Sequence, residues 1–179
     1  MLQRQHAALT PTLSTSHLVI RPLTKSSQRQ IDWLRDPVTM QYSEQRHHTH
    51  TLNTQLRFIE SLPPGSHIWA VRLIENDEHI GNMAARADVP NNICDLSILI
   101  GERDYWGNGY ASEAFKAATS WLLGKDEGGF RKVEAGCMAN NSAMRRVLLH
   151  AGFMSEGERR NHFLYEGQPV GCMYYGKFR

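Results

Sequence analysis

The feature that most constrains this chain is a strand, a glycine turn and a helix that follow one another directly. The run ICDLSILIG, residues 93–101, is rich in β-branched and apolar side chains and predicts a strand. The segment YWGNGYASEAF follows, with Gly107 and Gly109 two residues apart. Apolar side chains then recur at helical spacing, which predicts a helix over 111–123. Because glycine permits a positive φ or a close approach to another molecule, this turn is expected to have a specific backbone task.

The turn also matches what an anion-binding site requires. The first N–H groups of a helix have no partner within the helix, and the helix dipole adds partial positive charge there. Glycines let such a backbone approach a phosphate closely. However, the sequence has no GxxxxGK[ST] string, and Ser112 stands where a GxGxxG fingerprint needs its third glycine. Two interpretations stay open from the motif alone: a phosphate cradle of another kind, or a tight turn that only redirects the chain.

The remaining pattern predicts one α/β (α+β) domain. Strands are expected over 17–23, 67–74, 79–87, 93–101 and 130–138, and in two segments after Met154 that meet at Glu166 and Gly167. Helices are expected over 26–35, 52–62 and 111–123, and after Asn141. Three strands form a meander, so the sheet should be mixed and largely antiparallel, flanked by about four helices and unlike a doubly wound fold. Residues 1–15 are predicted to be a flexible tail, and 16–179 the domain.

Charge and composition narrow the classes of function. The 179 residues carry a formal net charge of +2 at pH 7, which argues against a dedicated nucleic-acid surface. Cys94, Cys137 and Cys172 follow no zinc-binding spacing and are expected to be reduced thiols of a cytoplasmic protein. No apolar run approaches the roughly 20 residues that cross a bilayer. We therefore expect no nucleic-acid or membrane partner, and a monomer or homodimer.

The glycine turn resembles the acetyl-CoA-binding motif of the GNAT family of N-acetyltransferases. That motif, (Gln/Arg)-x-x-Gly-x-(Gly/Ala), here reads Trp106-Gly107-Asn108-Gly109-Tyr110-Ala111. The last three positions match, and Trp106 replaces Gln or Arg, as in the RimJ/RimL-like branch. The resemblance implies the GNAT fold, acetyl-CoA as cosubstrate, no metal, and backbone amides of these six residues around the CoA pyrophosphate.

A second segment, ANNSAMRRVLLHAGF, resembles the second GNAT signature, an Asn-initiated helix that ends in Gly-Phe. Asn141 stands at the family's Asn, and the resemblance assigns it to the cofactor site. Two residues depart from the pattern. Met144 replaces a residue that is usually small, and Leu149 stands where many relatives have a tyrosine that acts as general acid.

In this family the acyl group passes directly from the thioester to an amine. The amine must lose a proton first, because a lysine-like ammonium has a pKa of about 10.4. The resemblance places the thioester carbonyl and the pantetheine against the backbone amides of Ile98, Leu99 and Ile100. For the base we favour Asp95, a carboxylate in an otherwise apolar strand, where a charge is costly unless it is paired or used. A salt-bridged or surface-facing strand aspartate is the alternative.

The proton donor for the leaving thiolate stays open. With Leu149 in the usual tyrosine position, the candidates are Tyr165, Tyr174, Tyr175 and Ser142. Each of these side chains would equally serve packing or helix capping. A proton carried by water is the alternative.

The segment Arg46-His47-His48-Thr49-His50 lies between the two predicted helices that border the acceptor site in this family. Arg46 or His47 would bind an anionic group of the acceptor, whereas a solvated loop is the alternative. Three imidazoles without a carboxylate or cysteine at a known spacing do not predict a metal site.

The sequence therefore predicts acetyl-CoA-dependent transfer of an acetyl group to a primary amine. The acceptor would be a protein N-terminus, an amino sugar or sugar nucleotide, or a small amine. A non-catalytic acyl-CoA-binding sensor is the alternative from another class, and the leucine at 149 favours it. A nucleotide-phosphate binder is the third interpretation.

Overall fold

The centre of the molecule is an eight-stranded sheet in a computed structural model that describes residues 10–125 and 127–179. The strands are β1 (Leu13–Ser14), β2 (Leu18–Pro22), β3 (His67–Leu73), β4 (His79–Asp88), β5 (Ile93–Ile100), β6 (Lys132–Met138), β7 (Met154–Tyr165) and β8 (Gln168–Phe178). The helices are α1 (Gln28–Arg35), α2 (Leu52–Glu60), α3 (Tyr110–Leu123) and α4 (Ser142–His150), with 3-10 turns over Glu44–His47 and Arg103–Tyr105. The predicted mixed sheet with four helices is confirmed.

The order of strands in the sheet is β1-β2-β3-β4-β5-β6-β8-β7. Every neighbouring pair is antiparallel except β5 and β6, which are parallel and joined through α3. Their pairing is short, and it ends where Asp95 lies opposite Glu134. In the described part of the chain no later residue of β5 pairs with β6, so the two strands separate. This separation leaves a gap between Leu96–Ile100 and the second half of β6.

One face of the sheet is covered by α3 and α4. The apolar positions of α3 recur at the helical period, and Phe115, Ala118 and Leu122 are fully buried. The Phe115 ring packs edge-on against Phe153, which follows α4, with centroids 5.4 Å apart. Burial of one such aromatic side chain contributes about 1.5–3 kcal/mol, so this layer anchors α3 to the sheet.

Side-chain caps fix where the helices begin. Ser27 accepts a hydrogen bond from the backbone N–H of Gln30 at the start of α1. Thr51 and Thr54 form a reciprocal capping box at the start of α2. Asn141 accepts from the N–H of Met144 at 3.0 Å, as the sequence predicts for α4.

The N-terminal segment corrects one sequence expectation. The first nine residues of the predicted tail lie outside the described residues, but the strand Leu13–Ser14 pairs with β2. The indole of Trp69 donates to the carbonyl of Pro11 at 2.9 Å. A buried indole N–H needs such a partner, and so this segment is bound to the domain before residue 16.

The loop between α1 and α2 is joined to the tip of the β7–β8 hairpin. Arg46 donates to the carbonyl oxygens of Gln41, Ser43 and Leu164, the last at 2.8 Å. The rings of Tyr42 and Tyr165 stack with centroids 5.3 Å apart. These contacts hold the hairpin tip against the loop although the two lie more than a hundred residues apart in sequence.

Candidate functional site

The glycine turn has the backbone conformation that its composition predicts. Gly107 and Gly109 have φ values of 82° and 84°, which L-residues with side chains rarely adopt. A Cβ atom built at either residue would meet nothing within 4 Å, so the turn faces open space. Gly109 is the N-cap of α3, and no side chain caps this helix. The first N–H groups of α3 are therefore available to an anion at an exposed helix end.

Side chains behind the turn hold it in place. The indole Nε1 of Trp106 donates to the carbonyl of Ile100 at 2.8 Å and ties the turn to the end of β5. The hydroxyl of Tyr105 donates to Glu78 at 2.6 Å, and this bond raises the pKa of Tyr105. The Tyr105 and Tyr110 rings lie 6.1 Å apart on either side of the glycines.

The support continues into α1 through a small ionic network. Arg29 contacts both Glu78 and Glu102. Hydrogen bonds to the two carboxylates raise the pKa of its guanidinium. Trp33 donates to the same oxygen of Glu102 at 2.6 Å. No local sequence pattern links residue 29 to residues 78 and 102, so this network could not be predicted from the sequence.

The backbone of β5 presents polar groups to the gap beside β6. Gly101 donates to Ile80 on the β4 side, and amides alternate along a strand. Ile98 and Ile100 therefore direct their N–H and C=O groups at the gap. Leu99 was predicted with them, but this prediction is corrected: its amide points to β4, where it lies opposite Asn82.

Asp95 lies at the narrow end of the gap, on the face of the sheet that does not carry α3 and α4. We call this the open face. Cys94 and Leu96 on either side point into the core, so alternation directs Asp95 outward. Asp95 is exposed to solvent on this face. Burial, with a contribution from the Glu134 carboxylate, raises the pKa of Asp95 to about 6, and Arg86 opposes this rise.

The four candidate proton donors lie in different places. Tyr175 is buried in the core and accepts from Arg145 at 3.3 Å. Tyr165 is at the hairpin tip, and Ser142 is exposed at the start of α4. Leu149 is 55% exposed and points to solvent. Tyr174 lies on the open face together with Asp95. Its register partner Gly136 and the register partner of Asp95, Glu134, are two residues apart on β6 and therefore lie on the same face.

The predicted acceptor segment divides into held and exposed residues. Arg46 donates to the carbonyl oxygens of Gln41, Ser43 and Leu164, and it forms an ion pair with Glu44 at 3.1 Å. His47 and His48 are exposed, whereas His50 is buried and contacts the carbonyl of Gln45 at 2.8 Å. A pocket of about 280 Å³ beside this segment is lined by Leu34, Arg35, Asp36, Pro37, Met40, Arg46, His48, Thr49 and His50.

Among the described residues, no group of three or more His, Cys, Asp or Glu side chains is arranged to hold a metal ion. None of the helices described combines the length and apolar character needed to span a membrane. The three cysteines are buried, free thiols.

Residues 17–154 match the model of the acetyltransferase (GNAT) domain family. An uncharacterized N-acetyltransferase of Bacillus subtilis (strain 168), YoaA, is 32% identical over 72 residues, which span 40% of each chain. The solved structure of RimL, a ribosomal L7/L12 α-N-protein acetyltransferase in complex with coenzyme A, has a TM-score of 0.79 at 13% identity and covers 94% of this chain and 98% of its own.

MccE, a microcin C7 self-immunity acetyltransferase in complex with acetyl-CoA and AMP, has a TM-score of 0.74 at 14% identity and covers 92% of this chain and 94% of its own. At these identities the two solved structures establish the fold. The family model spans well over half of the chain. On that match, together with the glycine turn and the gap between β5 and β6, the chain belongs to the GNAT acetyltransferase family.

Proposed function

We propose that this protein transfers an acetyl group from acetyl-CoA to a primary amine. The observation that carries the proposal is the gap between β5 and β6, which opens at Asp95 and leads to the exposed glycine turn. A long, thin cofactor with an anionic middle fits this path, because polar backbone lines the gap and a helix N-terminus lies at its far end. RimL and MccE, which share the fold, bind coenzyme A and acetyl-CoA.

The cofactor would contact backbone more than side chains. The amides of the turn over 106–111 would hold the pyrophosphate, and Ile98 and Ile100 would bond the pantetheine as an added strand does. The side-chain oxygen of Asn141 already accepts the capping hydrogen bond of α4. Asn141 would therefore support the cofactor site indirectly, by fixing where α4 begins beside the gap. A backbone amide of β5 would donate a hydrogen bond to the thioester carbonyl and so polarise it.

Asp95 would remove the proton that the attacking amine must lose. A carboxylate whose pKa is about 6 is ionised at neutral pH and is a better base than an ordinary aspartate. Because Asp95 is at the narrow end of the gap, it would lie next to the acyl group of a cofactor that enters from the turn. Transfer by way of a bridging water is compatible with the same position.

The acceptor would approach over the open face, between Asp95 and the α1–α2 loop. Its class is a protein N-terminus, an amino sugar or sugar nucleotide, or a small amine. His47 is exposed and free to contact an anionic group, whereas Arg46 would act by holding the loop. The location that fits the composition and the reduced thiols is the cytoplasm.

The test is release of CoA thiol from acetyl-CoA across a panel of amines, paired with calorimetry of acetyl-CoA binding. The panel holds ribosomal-protein N-terminal peptides, amino-sugar nucleotides, amino acids, polyamines and aminoglycosides. Turnover with one class identifies the acceptor and an enzyme together. Binding of acetyl-CoA without turnover favours the sensor alternative, and absence of binding contradicts both.

A further inference from the structure

A row of side chains crosses the open face of the sheet at the mouth of the gap. Asp95 on β5 lies opposite Glu134 on β6. Two residues further along β6, Gly136 lies opposite Tyr174 on β8. On the other side of β8, Gly157 on β7 also lies opposite Tyr174. Register partners share a face, so Asp95 and Tyr174 stand on either side of the point where β5 and β6 separate.

Gly136 lets the tyrosine ring extend toward the gap. A Cβ atom built on Gly136 would lie 3.7 Å from Cε1 of Tyr174, which means that the outer part of the ring covers this glycine. The ring therefore leans from β8 across β6. Tyr174 is half-buried, so part of the side chain is exposed on this face.

Arg159 holds the ring from the other side. Its guanidinium carbon lies 4.8 Å from the centroid of the Tyr174 ring, within the range of a cation–π contact. Arg159 comes from β7, where it lies opposite Cys172, two residues before Tyr174. The ring is thus fixed between a cation and a glycine, and it has few alternative orientations.

The charges around the phenol keep it protonated at neutral pH. Burial raises the pKa of Tyr174, and a hydrogen bond with the Cys172 side chain raises it further. Arg159 lowers this pKa, and the Asp95 carboxylate raises it by the smallest amount. A group that is protonated before the reaction and shares a face of the sheet with a carboxylate base has the state that a general acid needs.

We propose that Tyr174 donates the proton that the departing CoA sulfur takes up. This inference rests on the proposed function. The amine nitrogen attacks the thioester carbon and forms the C–N bond, and Asp95 accepts a proton from that nitrogen. The C–S bond breaks, its electron pair stays on sulfur, and the phenol O–H of Tyr174 gives its proton to the sulfur. Water then returns a proton to the phenolate, and Asp95 loses its proton to solvent.

The first test needs no acceptor: the thiol of bound CoA is titrated by ultraviolet absorbance in the wild type, Tyr174→Phe and Tyr175→Phe. A phenol that donates to the thiolate stabilises it, so Tyr174→Phe should raise the pKa of the bound thiol by about one unit. Tyr175→Phe is the matched control, because its side chain points into the core from the next position of β8. If CoA does not bind the wild type, the proposed function fails. If CoA binds and the Tyr174 variant leaves the thiol pKa unchanged, only the role of Tyr174 is overturned.

The second test compares acetyl-CoA with its selenoester analogue on the amine that turns over. A selenol is more acidic than a thiol, so it leaves without help from an acid. With acetyl-CoA, Tyr174→Phe should lower kcat by about 10²-fold. With the selenoester the loss should fall below about tenfold. An equal loss with both donors would mean that Tyr174 only shapes the cleft, and this contradicts the proposed role.

Discussion

At the scale of single residues, Asp95 is the proposed base, and three features of its surroundings oppose its ionisation. It interrupts an apolar strand, lies opposite another carboxylate, and has a pKa raised to about 6 by crowding. Each of these makes its ionised form costly. Active sites commonly hold groups whose environment opposes their ionised state, because the same environment makes them effective bases.

The pH dependence of the rate follows from this pKa. Only the ionised Asp95 accepts a proton, so kcat/KM should fall about tenfold per pH unit below about 6, where the carboxyl becomes protonated. Asp95→Asn should lose this dependence and about 10²-fold or more in rate, with acetyl-CoA affinity retained by calorimetry. A variant with undiminished turnover would remove Asp95 from the mechanism.

The raised pKa of Asp95 also predicts that a variant without this carboxylate is more stable than the wild type at neutral pH, although it is less active. A carboxyl whose pKa is higher in the folded protein than in the unfolded chain favours folding only at low pH, and this contribution disappears as the pH rises from about 4 to about 6. Asp95→Asn should therefore unfold at a higher urea concentration than the wild type at about pH 7.

The difference should narrow as the pH is lowered through about 6 and toward about 4, because the wild-type carboxyl becomes protonated first in the folded protein and then in the unfolded chain. Ser97→Ala, on the same face of β5, serves as a control without a titrating group. Equal midpoints for wild type and Asp95→Asn at neutral pH would show that the carboxylate is not destabilising.

At the scale of elements, the glycine turn is held as a unit by α1 and the β3–β4 connection. Tyr105 contacts Glu78 at 2.6 Å, and Arg29 links that carboxylate to Glu102. Exposed ion pairs contribute little to stability, so the value of this network is geometric. It fixes where the first amides of α3 point, and those amides are the proposed pyrophosphate site.

Removal of the Tyr105 hydroxyl should therefore weaken cofactor binding more than folding. Tyr105→Phe is expected to raise the Kd for acetyl-CoA roughly tenfold by calorimetry, because a displaced turn misaligns several amides at once. The KM for the acceptor should change little. Arg21→Gln, which removes an exposed ion pair with Asp77 and leaves the contact between Tyr105 and Glu78 in place, is the control. Equal effects of the two variants would contradict a positioning role.

The turn itself is tested by a substitution that adds bulk and charge. Gly109→Glu should abolish measurable acetyl-CoA binding, since a carboxylate at this position repels the pyrophosphate and the side chain covers the amides. The positive φ adds strain of about 1–2 kcal/mol. Gly167→Glu has the same strain, because Gly167 has a φ of 75° and equally open surroundings at the tip of the β7–β8 hairpin.

Circular dichroism should show both variants folded, with only the Gly109 variant unable to bind. Retained affinity in Gly109→Glu would mean that the turn does nothing more than redirect the chain.

At the scale of the whole molecule, one parallel pair in an otherwise antiparallel sheet creates the site. The connection between β5 and β6 passes through α3, so the two strands run side by side and the helix begins at the open end of their gap. The loop between α1 and α2 and the β7–β8 hairpin then meet through Arg46 and Tyr165. The proposed cofactor and acceptor sites would therefore lie at the two ends of one cleft.

Most helices and strands and the glycine turn could be predicted from the sequence alone. Helical and strand periods, the Asn141 cap and the positive φ of Gly107 and Gly109 depend on a few neighbouring residues, and a short window of sequence contains all of that information. It also singled out Asp95, because a charge in an apolar strand is conspicuous without any knowledge of the fold.

Which side chains and backbone groups come together depends on the packing of the whole sheet. The β5–β6 pairing ends at Asp95, so the amides of Ile98 and Ile100 face the gap, whereas the amide of Leu99 faces β4. The association of Arg29 with Glu78 and Glu102, and the choice of Tyr174 among four candidates, depend on strand order and register. These are relations between segments far apart in the chain, fixed by packing of the complete sheet, and no local pattern encodes them.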